Sequence, residues 1–314
     1  MRHPIPTEAF WRPGMPLTVQ SVLYGTDPAG LERALESLSN AAEHAVAAGL
    51  IEKVTLAYGD GSPDPVLTPD ILEDWRRKYP GVADIRYEFF GANLGSARGH
   101  NTLMGLGVSP KTGGFLLVMN PDVLLAPDAL INLLTRMKEP GIGLVEGRQM
   151  PVEHPKEYDR TTGDTCWAST ACALIDQDFF HHLGGFDADT FFLYCDDVDF
   201  SWRVRLAGYR VVFEPSAVVF HDKRLSNTAG WIPSSAERYY SAEAALMLAY
   251  KYSRPDLLEM ISSSFTMSGN EVLLRALEEF NRRKTENRLP TPLDAYHQVA
   301  TFIDGEYAAH RFRI

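Results

Sequence analysis

The chain has 314 residues, 45% of them hydrophobic, and its 41 acidic and 30 basic side chains give a formal net charge of −11. This composition excludes a disordered tail and a basic nucleic-acid-binding protein. Cys166, Cys172 and Cys195 lack CxxC spacing, which argues against a disulfide framework or structural zinc site and favours a reducing compartment. Because Met1–Gly14 lacks the apolar core of a signal peptide and no run approaches the roughly 18 apolar residues of a membrane span, we expect a cytoplasmic protein.

From Leu17 to Phe220, short apolar runs alternate with amphipathic helical patterns, which is typical of strands joined by crossover helices. The sequence therefore predicts an α/β fold with a mostly parallel sheet flanked by helices. The predicted helices are one containing Leu31 to Leu38, then Ser96–Leu106 and Ala129–Met137. The predicted strands are Thr18–Tyr24, Val54–Tyr58, Ile85–Phe90, Phe115–Met119, Ile142–Glu146, Tyr209–Phe213 and Ala217–Phe220.

After His221 the strand-like runs stop, and the pattern predicts a helical appendage. We divide the chain into an N-terminal extension (1–16), an α/β domain (17–224) and a helical region (225–314). The predicted helices of that region are Ser235–Tyr252, Pro255–Met260, Glu271–Arg283 and Pro292–Ile303. One of them has an apolar face that favours either a homodimer or docking on the parent domain, formed by Leu273, Leu274, Leu277 and Phe280.

Polar clusters follow several predicted strands, where open α/β sheets bind their ligands. Taken singly, each cluster also has an ordinary explanation as a turn or a helix cap. The clusters are Gly59-Asp60-Gly61-Ser62, Asn93-Leu94-Gly95-Ser96, Asn120-Pro121-Asp122 and His221-Asp222.

A further cluster, Gly184-Gly185-Phe186-Asp187, leads into Tyr194-Cys195-Asp196-Asp197-Val198-Asp199. Close carboxylates repel one another unless a proton or a cation intervenes, so their retention indicates use. The alternative is a helix N-terminus at which Asp199 pairs with Arg203 four residues later. We accept that alternative for Asp199 and Arg203, and we assign a functional role to Asp197.

Together these motifs resemble the inverting glycosyltransferases of family 2, in particular the rhamnosyltransferase-like bacterial enzymes of surface polysaccharide synthesis. The resemblance covers about Leu17 to Arg224 and rests on the order and spacing of the motifs. It implies the GT-A fold, a nucleotide-sugar donor (dTDP-rhamnose or a UDP-sugar) and a glycan or lipid-linked sugar acceptor. It also implies a cytoplasmic location at the inner face of the membrane, with peripheral contact to a membrane-borne acceptor.

On the donor side, the resemblance implies that Asp122 is the carboxylate of the metal-binding motif and that His221 is a second ligand. Mg²⁺ prefers oxygen ligands and Mn²⁺ tolerates an imidazole, so either cation suits this pair. By position, the other donor-binding residues are Tyr24, Gly25, Asn93, Gly95 and Asn120. Where relatives carry a base-binding aspartate, this chain has Gly59, so either Asp60 contacts the base or backbone groups do. The choice between uracil and thymine stays open.

On the acceptor side, the motif position implies that Asp197 is the general base and that Asp196 binds or orients the acceptor. Trp167 is either a platform for a sugar ring or a core aromatic. An all-helical prenyl-diphosphate enzyme conflicts with the predicted strands, and a glycoside hydrolase has no need of Asp122 and His221. The alternative that stays open is a glycan- or nucleotide-binding protein derived from such an enzyme.

Overall fold

A computed structural model describes residues 14–107, 113–153, 157–221 and 234–303 of the chain. The predicted N-terminal extension therefore lies largely outside the described residues, as does Asp222. The strands are β1 (Leu17–Leu23), β2 (Val54–Asp60), β3 (Asp84–Phe89), β4 (Phe115–Met119), β5 (Val123–Leu125), β6 (Ile142–Met150), β7 (Cys172–Asp176) and β8 (Arg210–His221). The helices are α1 (Pro28–Ala47), α2 (Pro69–Lys78), α3 (Gly95–Gly105), α4 (Ala129–Met137), α5 (Gln177–His182), α6 (Asp196–Leu206), α7 (Ser235–Lys251), α8 (Pro255–Ser268) and α9 (Glu271–Thr285).

The strands of the described chain form one sheet in the order β3-β2-β1-β4-β7-β6-β8-β5. Pairing is parallel across β3-β2-β1-β4 and between β6 and β8. It is antiparallel where β7 meets β4 and β6, and where β5 meets β8. The predicted α/β class is confirmed. In the half of the sheet formed by β7, β6, β8 and β5, parallel and antiparallel pairing are mixed, which the residue pattern of a single strand does not reveal.

Several predicted boundaries agree with the structure, among them β4 and α4, because continuous apolar runs mark buried strands and helical spacing marks α4. The two predicted strands around Pro215 are instead one strand, β8. A register shift opposite Gly147 and Arg148 lets β8 continue past that proline beside β6. The list of predicted strands lacks β5 (Val123–Leu125) and β7 (Cys172–Asp176); β5 has only three residues, too few to show an alternating pattern.

The prediction of a helix over Pro292–Ile303 is wrong, because these residues form a loop. The Asp294 carboxylate accepts the backbone N–H groups of Gln298, Val299 and Ala300 at 2.6 to 3.0 Å. Asp294 itself has a left-handed backbone, with a φ of 51°. An aspartate that bonds nearby backbone groups competes with helical hydrogen bonding, which explains the loop.

The helical region packs on the α/β part through a shared hydrophobic cluster. Val198 and Trp202 of α6 belong to this cluster together with Leu246 and Met247 of α7. Phe280, from the predicted apolar face of α9, is 3% exposed and lies in the same cluster. Leu277 of the same face packs against this cluster, so these two residues of the face pack within their own chain. None of the described helices is long and apolar enough to cross a bilayer.

Candidate active site

A cleft of about 530 Å³ opens at the carboxyl ends of β1, β4, β6 and β8. It collects most of the residues that the sequence predicted, although they are far apart in the chain. A cavity of about 620 Å³ beside Arg205 and Arg210 contains none of them. The predicted residues that line the cleft are Tyr24, Asn93, Gly95, Asn120, Asp122, Asp196, Asp197 and His221.

Asp122 and His221 lie next to each other because β5 pairs antiparallel with β8. The register places Val123, which follows Asp122, opposite His221. The Oδ1 atom of Asp122 is 3.3 Å from Nε2 of His221. The other ring nitrogen, Nδ1, is 2.8 Å from Oε1 of Gln149 at the end of β6. The structure thus brings together the two residues that were predicted to share a metal ion.

The donor set of this pair fits a divalent cation. Gln149 Oε1 is an acceptor, so the hydrogen of a neutral His221 ring lies on Nδ1 and the Nε2 lone pair faces Asp122. Two acceptor atoms 3.3 Å apart repel unless a proton or a cation lies with them. Among the described residues no group of three or more histidine, cysteine or acidic side chains forms a metal cluster. A Mg²⁺ or Mn²⁺ ion held by this pair would take further oxygen ligands, which substrate and water can supply.

Asp196 and Asp197 form the first turn of α6, and both are 3% exposed while lining the cleft. Asp197 Oδ1 accepts the N–H of Val198 at 2.8 Å. Carboxylates are stabilised as anions at a helix N-terminus, where unpaired N–H groups carry partial positive charge. The helix start thus presents a carboxylate to the cleft, which is the kind of group that can serve as a general base.

Asp199 has a different environment from its neighbours, since it is fully buried and bonded on all sides. Its oxygens lie 2.5 Å from Lys251 Nζ and 2.8 Å from Arg203 Nε, and one accepts the Tyr252 hydroxyl at 3.0 Å. Lys251 also binds Asp187 of the Gly-Gly-Phe-Asp motif at 2.6 Å. Burial raises the pKa of Asp187, but the charge of Lys251 and the hydrogen bonds from Lys251 and Thr190 together outweigh this, and the pKa is lowered overall. This network has a structural role, as predicted for Asp199 and Arg203.

Gly95 joins the loop after β3 to the loop before α6. Its φ is 71°, and an added Cβ would lie 2.1 Å from the backbone oxygen of Phe192. The same oxygen accepts the N–H of Ser96 at 3.0 Å, and the Asn93 side chain accepts the N–H of Gly95 at 3.0 Å. Only glycine combines this backbone conformation with such a close approach.

Asp60 and Gly25, two of the predicted donor-binding residues, are not among the residues that line the cleft. Asp60 is fully buried; its carboxylate accepts the N–H groups of Ser62 and Val66 at 2.8 Å and the Tyr87 hydroxyl. Burial raises the pKa of Asp60, but these hydrogen bonds outweigh it and the pKa is lowered overall. Gly25 donates its N–H to the Ser62 hydroxyl at 2.8 Å. Both residues therefore shape the loop beside the cleft.

Trp167 also lies outside the cleft. Its side chain is 4% exposed and packs in the hydrophobic cluster with Phe191, Val198 and Trp202. Of the two interpretations, the structure favours the core aromatic over the sugar platform. The adjacent residues Ser169 and Thr170 do line the cleft.

Sequence reasoning missed several residues of the cleft: Gln149, Ser169, Thr170, His100, Ser234 and Glu237. Ser169 and Thr170 precede β7, which runs antiparallel to β4, so the start of β7 lies beside the end of β4 at the cleft edge. There the backbone N–H of Asn120 donates to the backbone oxygen of Ala171 at 2.9 Å. Gln149 carried a usable signal, since it is a polar residue at the end of a strand. Glu237 comes from α7, and no local pattern indicates that contact.

Comparisons with known proteins agree with this architecture. No family model matches the chain. A Mycobacterium tuberculosis (strain ATCC 25618 / H37Rv) protein named N-acetylglucosaminyl-diphospho-decaprenol L-rhamnosyltransferase is 28% identical over 317 residues, covering 85% of this chain and 96% of that protein.

Two solved structures share the fold. The mannosyltransferase PcManGT from Pyrobaculum calidifontis, in complex with GDP-Man and Mn²⁺, has a TM-score of 0.53 at 16% identity, covering 91% of this chain and 84% of its own. GalNAc-T7 with UDP, GalNAc and Mn²⁺ has a TM-score of 0.59 at 13% identity, covering 91% of this chain and 57% of its own. The chain therefore has the GT-A fold of these structures, and it is a glycosyltransferase similar to that rhamnosyltransferase.

Proposed function

We propose that this glycosyltransferase is inverting and metal-dependent, and that it transfers a sugar from dTDP-rhamnose or a UDP-sugar to a hydroxyl of a lipid-linked sugar. The observation that carries the proposal is that one cleft contains Asp197, at a helix N-terminus, together with the adjacent Asp122 and His221. The acceptor class is suggested by the relative named as acting on N-acetylglucosaminyl-diphospho-decaprenol. Such an acceptor would be presented at the inner face of the membrane.

In the proposed reaction, Asp197 removes the proton of the acceptor hydroxyl as its oxygen attacks the anomeric carbon. The bond from that carbon to the diphosphate breaks, and its electron pair leaves with the nucleoside diphosphate. Attack from the face opposite the leaving group inverts the anomeric configuration. General-base catalysis of this kind contributes about 10²- to 10⁴-fold to the rate.

Charge on the departing diphosphate has to be neutralised. Among the described residues that line the cleft there is no lysine or arginine, whereas four are carboxylates: Asp122, Asp196, Asp197 and Glu237. Asp122 and His221 would hold a divalent cation, Mn²⁺ or Mg²⁺, which neutralises diphosphate charge when bound. Lys223 and Arg224, which follow His221, lie outside the described residues.

The test is turnover with dTDP-rhamnose and with UDP-sugars, using an N-acetylglucosaminyl diphospholipid with a short alkyl chain as acceptor. We expect nucleoside diphosphate release that EDTA abolishes and Mn²⁺ or Mg²⁺ restores, with an inverted anomeric centre in the product by NMR. Asp197→Asn should lower kcat by about 10²- to 10⁴-fold with nucleotide affinity unchanged. Asp189→Asn, at a carboxylate 91% exposed, is the matched control.

A retained configuration, or full activity in EDTA, would contradict the inverting or metal-dependent part of the proposal. Nucleotide binding without turnover across this panel would instead support the non-catalytic binding protein.

A further inference from the structure

Gln149 lies behind His221 in the wall of the cleft, where neighbouring strands β6 and β8 end. Its side chain is 1% exposed, and its Oε1 atom is 2.8 Å from His221 Nδ1. Its backbone N–H donates to the Glu153 carboxylate at 2.7 Å, and its register partner is Val219, two residues before His221. These contacts fix the main chain from which the amide side chain extends to His221.

The other end of this amide has no hydrogen-bond partner in the part of the chain that the structure describes. Gln149 Nε2 is buried and carries two N–H donors. An unsatisfied buried polar group costs free energy, so an apolar side chain of similar volume would suit packing better. A buried glutamine whose oxygen is hydrogen-bonded while its NH₂ group is not indicates that the hydrogen bond to His221 is the reason for this residue type.

What the oxygen supplies is control over the His221 ring. A neutral imidazole has one N–H and one lone pair, and the hydrogen bond made by one nitrogen decides which form the other takes. With an acceptor at Nδ1, the hydrogen lies there and Nε2 keeps its lone pair, 3.3 Å from Asp122 Oδ1. Outer hydrogen bonds of this kind orient metal-binding histidines in general.

We propose that Gln149 is a positioning residue, which holds His221 in the Nδ1–H form so that Nε2 and Asp122 together bind a divalent cation. This inference rests on the proposed metal dependence. It adds that the affinity of the site depends on a residue that contacts neither the cation nor the substrates.

The first test needs no metal. Nitrogen-15 NMR of the metal-free protein, with His221 assigned from a His221→Gln spectrum, reports which ring nitrogen carries the hydrogen. At a pH where the ring is neutral, we expect the Nδ1–H form in the native protein and a mixture in Gln149→Met. A native Nε2–H form would overturn the proposal, since the amide would then be turned to donate to Nδ1.

The second test measures Mn²⁺ affinity by titration calorimetry with UDP or dTDP bound, and stability by urea unfolding. We expect Gln149→Met to weaken Mn²⁺ binding by about 10- to 100-fold, the range typical of outer-shell changes. Stability should change little, because the variant removes the two unpaired N–H donors of Gln149 but also removes the acceptor of His221 Nδ1–H. Gln149→Glu, which keeps an acceptor facing Nδ1, should bind Mn²⁺ with nearly native affinity.

Gln20 offers a matched control. It is fully buried, its Oε1 lies 3.2 Å from Nδ1 of His100, and its Nε2 likewise has no partner among the described residues. Gln20→Met therefore makes the same chemical change at a histidine that forms no ion pair with a carboxylate in the described structure. We expect its Mn²⁺ affinity to stay native.

The outcomes separate the two proposals. Equal losses in Gln149→Met and Gln20→Met, or native affinity in Gln149→Met, would overturn the role of Gln149. If the native protein binds no Mn²⁺, the metal dependence of the proposed function fails. The ring-nitrogen measurement still decides whether Gln149 sets the form of His221.

Discussion

At the scale of single residues, the cleft depends on backbone conformations that side chains usually avoid. Tyr194 and Cys195, directly before α6, have φ values of 64° and 62°. Non-glycine residues in this region cost of order 1–3 kcal/mol each and persist only where the surroundings impose them. The two residues turn the chain so that α6 starts at the cleft, which places Asp196 and Asp197 in its wall.

Gly95 makes a prediction that separates backbone conformation from steric clash. Gly91 and Gly95 share a left-handed backbone, with φ values of 68° and 71°. An added Cβ at Gly91 would contact nothing within 4 Å, whereas at Gly95 it would clash with the backbone oxygen of Phe192. We expect Gly91→Ala to lose about 1–2 kcal/mol of unfolding free energy from the left-handed conformation alone. Gly95→Ala should lose more and weaken nucleotide binding, because the loops move apart.

Urea unfolding and nucleotide titration of both variants check this prediction. Equal destabilisation of the two variants, with native nucleotide affinity in Gly95→Ala, would show that the contact between Gly95 and Phe192 has no effect on the cleft.

At the scale of elements, buried ion pairs connect α7 to α6. Lys251 is 4% exposed and lies between Asp187 and Asp199. Arg203 completes the connection by donating to the backbone oxygens of Leu183 and Gly185 at 2.8 Å. The helix that carries Asp197 is therefore held by both the Gly-Gly-Phe-Asp motif and the helical region.

Removing Lys251 should be costly, because it leaves buried carboxylates without their cation. We expect Lys251→Met to lower the unfolding free energy by about 3–5 kcal/mol. Lys78→Met is the control, since Lys78 is paired with Glu32 but its side chain is 56% exposed. The unfolding free energy of this variant should stay near the native value. Urea unfolding measures both; a similar small loss for the two variants would contradict the structural role of the network.

At the scale of the whole molecule, acid affects stability in two opposing ways. The net charge is −11 and the sequence pI is about 5.3, so self-repulsion decreases as the pH falls toward that value. His100, which connects α3 to Gln20 of β1, acts in the other direction. Burial lowers the pKa of His100 to about 4 from 6.5, so the folded state keeps this ring neutral.

The direction of this pH effect follows from the difference in proton binding between the unfolded and the folded chain. The unfolded chain binds a proton at His100 below pH 6.5 and the folded chain only near pH 4, so this contribution is fully present above 6.5 and is lost as the pH falls toward 4. Between pH 8 and pH 5 we expect this contribution to lower the unfolding free energy of the native protein by about 2 kcal/mol. The His100→Gln variant should not show this loss. Urea unfolding at both pH values checks this; parallel pH profiles would refute it.

The sequence by itself determined the α/β class, most strand positions and the motif set, because apolar periodicity and the residues that end strands are local properties. It also separated Asp199 from Asp197, since an Arg203 four residues on supplies a local partner.

Only the tertiary structure decided which motif residues meet. Asp122 reaches His221 through β5, a strand too short to show a pattern, and Gln149 lies behind His221 because β6 and β8 pair in parallel. Trp167 and Asp60 turned out to be buried, although both stand in motifs that favour a ligand. A side chain's burial and partners depend on strand order and register, which arise from contacts between distant segments, and local sequence does not encode these.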